Sequence, residues 1–272
     1  MDDLTALVTG ANKGIGKEIA RQLADAGLTV YVGSRDAARG ERAVGEIGGD
    51  TRLLVLDVTD DASIADAARQ AGTLDILVNN AGISSDGKTP DQQDADTFRR
   101  IYGTNVFGVV AVTNAFLPAL RRSAHPRIVN ISSSTGSLTW ATDPQSRHWP
   151  GRYAAYRSSK TALNALTVFY AHTLADGGIK VNALAPGLRR TDLNAPPRPA
   201  AATRPRPQLA RSSSRCCRTT GLPGSSSPGT GPRSPGDRRH HRPARRSSAG
   251  GACLANLRVP ITRRESGWLP SG

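Results

Sequence analysis

Tyr156 and Lys160 stand four residues apart in Tyr156-Arg157-Ser158-Ser159-Lys160. On a helix that spacing puts both side chains on one face, a turn apart. A phenol titrates near 10, too high for proton transfer at neutral pH. A neighbouring ammonium favours the phenolate and lowers that value. Tyr153 is the rival phenol, but the residue four positions after it is Arg157, expected to face solvent. Upstream lies a hydroxyl cluster, Ser132-Ser133-Ser134. A hydroxyl there can donate to a carbonyl oxygen; the cluster can equally be only a loop, and Ser132 and Ser134 compete with Ser133 for the inward position. Near the start, Thr9-Gly10-Ala11-Asn12-Lys13-Gly14-Ile15-Gly16 offers a different chemistry. Gly10 permits a tight turn, Gly14 lets the backbone approach phosphates, and Gly16 lets a following helix pack close. The N-terminus of that helix presents free N–H groups and partial positive charge to a pyrophosphate.

These groups need a scaffold, and the hydrophobic pattern supplies one. Apolar runs predict strands over Leu4–Val8, 28–33, Leu53–Leu56, Leu74–Val78, Arg127–Ile131 and Gly178–Ala185. Helical periodicity predicts helices over Lys17–Ala26, Arg39–Gly48, Ser63–Ala71, Asp94–Leu120 and Ala154–Leu174. The alternation of the two describes an α/β fold, a doubly wound, mostly parallel sheet with helices on both faces. Ser137–Arg152 reads as a long loop carrying Trp140 and Trp149, either a lid or aromatic wall beside the site or a packed surface loop. After the second strand stand Ser34 and Arg35, with no acid at the strand end. Dinucleotide folds read the adenosine ribose there, and a basic residue favours a 2′-phosphate. Arg35 together with Lys13 points to NADP(H), with NAD(H) the alternative.

The spacing TGxxxGxG resembles the short-chain dehydrogenase/reductase family, and further motifs follow in that family's order: Asn79-Asn80-Ala81-Gly82, Asn105 to Gly108, Ser133 to Gly136, Tyr156 to Lys160, and Pro186-Gly187 to Thr191. The resemblance implies a Rossmann-type domain spanning residues 1–195 and an oxidoreductase that moves a hydride between NADP(H) and a carbonyl or alcohol on a small molecule. It implies that Ser133 is the catalytic serine, that Tyr156 delivers the proton, and that Lys160 lowers the tyrosine pKa and holds the nicotinamide ribose. Asn105 would hold a relay water, the alternative being a structural asparagine bonding its own backbone. The implied cofactor-binding set is Thr9, Gly10, Asn12, Lys13, Gly14, Ile15, Gly16, Ser34, Arg35, Asp57 and Val58 near the adenine, Asn79, Ala81, Gly82, Tyr156, Lys160, Pro186, Gly187 and, for the carboxamide, Thr191. The opening TGANKGIG looks closest to the NADP(H)-linked carbonyl reductase branch. A homodimer or homotetramer through the Tyr156 helix is common in the family.

The net charge of +14 is not shared evenly. Residues 196–272 hold 15 arginines against Asp237 and Glu265, so the body is nearly neutral. All three cysteines, Cys216, Cys217 and Cys253, fall in that last part, which leaves the body without disulfides or cysteine-ligated metal and fits a reducing compartment. No signal-like segment opens the sequence and no apolar run reads as a membrane span, so the expectation is a cytoplasmic protein. From Asn194 onward the composition is Pro, Arg, Ser and Gly without periodicity, too poor in apolar residues to build a core. With the frame shifted back one base and permitted codons chosen, Cys217–Asp237 reads LPDDGPTGQLFSWDGTPVPW, which resembles the ending of bacterial members of the family. The expectation is therefore a frameshift near residues 195–215. A disordered native tail and a nucleic-acid-binding arm on a non-catalytic reductase-like protein are the alternatives.

Overall fold

Six short apolar segments become strands: β1 (Thr5–Val8), β2 (Thr29–Ser34), β3 (Thr51–Val55), β4 (Ile76–Asn79), β5 (Arg127–Ile131) and β6 (Lys180–Leu184). In this computed structural model, which describes residues 4–143, 145 and 151–187, they form one parallel sheet in the order β3-β2-β1-β4-β5-β6. Alternate residues of each strand face opposite sides. Leu7, Leu77 and Ile128 enter one core cluster with Phe116 and Leu120. Ala6, Val8, Val30, Val32 and Val78 enter another with Ala20 and Ala43. Burial on both faces explains why the strands read as unbroken apolar runs rather than alternating ones.

The order reverses between β1 and β4, and a sheet of this topology binds ligands outside the carboxyl ends of the strands beside that point. The Gly-rich turn, Asn80 and Ser132 follow directly from strand ends there, Ser34 closes β2, and Asp57 stands two residues past β3. The helices are α1 (Gly14–Asp25), α2 (Ala37–Ile47), α3 (Asp61–Gln70), α4 (Ala95–Tyr102), α5 (Gly108–Leu120), α6 (Leu138–Thr142) and α7 (Ala154–Thr173). α1 begins at Gly14 rather than Lys17, so the second half of the Gly-rich turn is already the helix's first turn. Asp60 caps α3, accepting from the Ala62 N–H at 2.9 Å.

Three local expectations are corrected. The single helix expected over 94–120 contains a π turn, Gly103–Phe107, between α4 and α5. The run Ala95–Leu120 is long and apolar enough by length and composition to cross a membrane, against the reading that no segment is. Half of it is buried within this domain, and Ile101, Val109, Val112, Phe116 and Leu120 are core residues. The segment 137–152 is not all loop: α6 lies in it, capped by Ser137, whose Oγ accepts from the Trp140 N–H at 3.2 Å. Trp140 is 49% exposed. Trp149, Thr191, the tail after 195 and the segment of the proposed frameshift lie outside the described residues.

Candidate active site

A cleft of about 270 Å³ opens at the carboxyl edge of the sheet. Of the expected cofactor residues, Gly10, Asn12, Lys13, Gly14, Ile15, Gly16, Ser34, Arg35, Asp57, Val58, Ala81 and Gly82 line it. The cleft fits a phosphate-bearing dinucleotide by its build. Gly16 lies against the β4 loop so closely that a Cβ there would come within 2.3 Å of Asn80 Nδ2 and 2.7 Å of the Gly10 carbonyl oxygen. Asn80 is the strap that holds this turn, its Nδ2 donating to the Thr9 carbonyl at 2.9 Å and to the Gly10 carbonyl at 3.3 Å. The Thr9 hydroxyl accepts from the Asn80 and Ala81 N–H groups, both at 3.0 Å. Thr9 therefore ties β1 to β4 from beneath the cleft.

Sequence reasoning left out Asp36, Arg39, Leu56, Thr59, Asn80, Ile83 and Thr104, all of which line the cleft. Asp36 and Arg39 stand next to Arg35 at the start of α2. The Asp36 carboxylate caps α2 by accepting from the Arg39 N–H at 3.0 Å, and it pairs with the Arg39 guanidinium at 3.2 Å. The acid that follows Arg35 is thus engaged by its own helix. The signal was in the sequence: an Asp placed three residues before an Arg at a helix start.

Asn79 sits elsewhere. It is buried below the cleft, and its Nδ2 donates to Thr113 Oγ1 at 3.0 Å and to Asn130 Oδ1 at 2.9 Å. Asn130 Nδ2 donates on to Thr167 Oγ1 at 2.9 Å, and that hydroxyl to the Leu163 carbonyl at 2.7 Å. This buried chain joins α5, the sheet and α7. Pro186 and Gly187 follow β6 but are not among the residues lining the cleft.

The far end of the cleft, at Gly82, Ile83 and Thr104, adjoins the second group of residues. A Cβ on Gly82 would lie 3.2 Å from Asn105 Oδ1 and 3.7 Å from Lys160 Nζ. Asn105 is fully buried in the π turn, where the wider winding is a frequent mark of functional sites. Its side chain does not bond its own backbone. Oδ1 accepts from the Ile83 N–H at 2.9 Å, and Nδ2 donates to the Ile83 carbonyl at 2.9 Å and to Ser159 Oγ at 3.0 Å. Ser159 in turn donates to the Tyr156 carbonyl at 2.6 Å.

Lys160 is 5% exposed, and its ammonium donates to the Ile131 carbonyl at 2.8 Å. Burial draws its pKa down from 10.5 to about 8. Nζ lies 5.8 Å from the centre of the Tyr156 ring. Burial pushes the Tyr156 phenol above its ordinary 10, and a hydrogen bond with Ser133 pulls it back. In this arrangement the lowering influence on the phenol comes from Ser133, while the lysine's hydrogen bond goes to the strand. Tyr153 is not on the helical face: it precedes α7 in the left-handed region, φ 57°.

The serine cluster resolves by partner. Ser132 is buried and donates to Asn164 Oδ1 at 2.6 Å, whereas Ser133 is the one that lowers the Tyr156 phenol. The turn Ser134–Gly136 is held on α7. Arg157, expected to face solvent, is half-buried and donates Nε–H to the Thr135 carbonyl at 3.3 Å. Thr161 Oγ1 donates to the Gly136 carbonyl at 2.9 Å. A Cβ on Gly136 would fall 2.8 Å from the Lys160 carbonyl carbon, so the glycine of S-x-x-G is what lets the serine turn rest on the lysine's helix.

The short chain dehydrogenase family profile matches residues 4–202. The chain is similar to the short-chain dehydrogenase anuI of Penicillium roqueforti, 38% identical over 201 residues that cover 68% of this chain and 79% of that protein. It is also similar to salutaridine reductase of Papaver bracteatum, at 32% over 260 residues, covering 70% and 83%. Among solved structures it resembles 3-ketoacyl-(acyl-carrier-protein) reductase from Brucella melitensis complexed with NADH, with 32% identity, TM-score 0.63, and coverage of 70% and 78%. A gluconate 5-dehydrogenase from Burkholderia cenocepacia in complex with NADP and tartrate matches at 31% identity, TM-score 0.62, and coverage of 71% and 74%.

Proposed function

Because this chain belongs to the short-chain dehydrogenase family, we propose that it is an NADP(H)-dependent carbonyl reductase acting on a small molecule through Ser133, Tyr156, Lys160 and Asn105. The observation that carries this reading is convergence. Ser133 is the side chain that eases ionisation of the Tyr156 phenol, and Lys160 Nζ and Asn105 Oδ1 both flank Gly82, where the nucleotide cleft ends. The nicotinamide dinucleotide, when bound, supplies or accepts the hydride. The Ser133 hydroxyl orients the substrate oxygen, and Tyr156 gives that oxygen its proton as charge develops there. Lys160 holds positive charge beside the phenol ring and would hold the nicotinamide ribose. Asn105 is held by Ile83 and Ser159 in a fixed pose next to Lys160. Relatives named as reductases, among them salutaridine reductase and (−)-isopiperitenone reductase of Mentha piperita, support the reductive direction.

The preference for NADP(H) rests on cations. Lys13, Arg35 and Arg39 all line the cleft, and Asp36 is engaged by the α2 cap and by Arg39. A 2′-phosphate would meet guanidinium groups there rather than a free carboxylate.

The test is initial-rate oxidation of NADPH and of NADH by the full chain across a panel of ketones, aldehydes and enones. NADPH should be favoured. Arg35→Ala should raise its KM by about tenfold, the loss of one charge-assisted contact, and leave the KM for NADH unchanged. Tyr156→Phe should abolish turnover while NADPH still binds. Near wild-type turnover in Tyr156→Phe sinks the mechanism, and an NADH preference sinks the cofactor assignment.

A further inference from the structure

We propose that Thr135 is a positioning residue that sets the direction of the Ser133 hydroxyl proton, aiming it at the Tyr156 oxygen and the substrate. The proposal rests on the reading of Ser133 and Tyr156 as the pair that handles the substrate oxygen.

A serine hydroxyl has one proton to give and two lone pairs to fill. Ser133 Oγ has three neighbours. The Thr135 N–H reaches it at 3.2 Å, Thr135 Oγ1 stands at 2.8 Å, and the third is the Tyr156 phenol, whose ionisation it eases. An N–H can only donate, so it takes one lone pair. The contact between the two hydroxyls can run either way, and its direction decides what Tyr156 meets.

If Ser133 donates to Thr135, its one proton is consumed inside the turn. Tyr156 can then only donate to Ser133, which holds the phenol protonated. If Thr135 donates to Ser133, both lone pairs of Oγ are filled and its proton has a single outlet, toward Tyr156 or a substrate oxygen. Only the second arrangement offers a donor to the oxygen that gains negative charge.

The turn is built to hold Thr135 in this place. Ser133 caps the short helix Ser134–Gly136. The Thr135 carbonyl is taken by Arg157 Nε and the Gly136 carbonyl by Thr161 Oγ1, so donors from α7 already occupy the neighbouring carbonyls. Gly136 rests on the Lys160 backbone. Ser132, which precedes Ser133, is committed to Asn164. Thr135 Oγ1 is left with Ser133 Oγ as its hydroxyl partner at 2.8 Å.

The ionisation of Tyr156 reads this directly, without cofactor or substrate. Tyrosinate absorbance at 295 nm is followed with pH for the full chain. The share of Tyr156 among the five tyrosines is isolated by subtracting the Tyr156→Phe curve in each background. Thr135→Val removes a donor to Ser133 Oγ and leaves one of its lone pairs empty, so the Ser133 proton is less firmly aimed and the Tyr156 midpoint should rise by a few tenths of a pH unit. Thr135→Ser, which restores the hydroxyl, should return it to the wild-type value. Thr135→Ala serves the same comparison if valine does not fit the turn. An unchanged midpoint in Thr135→Val or Thr135→Ala, with a raised midpoint in Ser133→Ala, overturns the role of Thr135 and leaves the Ser133–Tyr156 pairing standing. An unchanged midpoint in Ser133→Ala overturns that pairing and the proposal with it.

Discussion

Replacing Lys160 with methionine should make the protein more stable and catalytically dead, and the size of the gain can be worked from its burial. Burial draws the ammonium from 10.5 down to about 8. The folded-state pKa is depressed, so between those values the folded protein binds fewer protons than the unfolded chain, and its stability rises with pH across that window. At pH 7 the lysine is charged in both states. The gap in proton affinity then costs the folded state about 3 kcal/mol, at 1.36 kcal/mol for each tenfold. At pH 9.5 the folded lysine is neutral while the unfolded one is still mostly charged, and the remaining cost is about 1 kcal/mol. Methionine keeps the apolar stem and gives up the bond to the Ile131 carbonyl, worth about 1 kcal/mol. Lys160→Met should therefore exceed wild type by about 2 kcal/mol at pH 7 and by less than about 1 kcal/mol at pH 9.5. The assay is urea unfolding of both full chains at the two pH values, where taking the difference between proteins cancels the other titrations. A variant no more stable than wild type at pH 7, with the same gap at pH 9.5, would refute the claim that the buried ammonium is held at a cost. A gain in stability with loss of turnover is the trade expected where an active-site group is strained by its surroundings.

Gly16→Ala should weaken the nucleotide loop, because the new Cβ meets Asn80 Nδ2 and the Gly10 carbonyl. A loss of about 1–3 kcal/mol in urea unfolding and of NADPH fluorescence enhancement is expected. Asn79→Ala should cost about 1–3 kcal/mol, since the buried Thr113 and Asn130 groups lose their partner. NADPH affinity should hardly move, because Asn79 lies below the cleft; a selective loss of affinity at unchanged stability would show that Asn79 acts on the cofactor.

Much of the architecture was legible because its signals are local. Unbroken apolar runs mark strands buried on both faces, and each of the six expected strands is present within a few residues of its expected bounds. The pattern could not show the π turn at Gly103–Phe107, since a one-residue widening leaves the apolar periodicity on either side intact. Nor could it show α6, a helix too short to carry a periodic signature.

Within the site, the Gly-rich turn and the Tyr156–Lys160 pair were readable from spacing alone, because turn geometry and the helical repeat are set over a few residues. Partner choice was not. Which of three adjacent serines faces the phenol depends on Asn164 and Tyr156 from α7. Asn105 is fixed by Ile83 and Ser159, and Arg157 is turned inward by the Thr135 carbonyl. The depressed pKa of Lys160 arises from burial beside β5 and α7. The sequence by itself determined which chemical groups are present and the local frames that carry them. Their hydrogen-bond direction, their burial and therefore their proton affinity were decided only when distant strands and helices came together, because desolvation and acceptor supply belong to the packed interior rather than to any one segment.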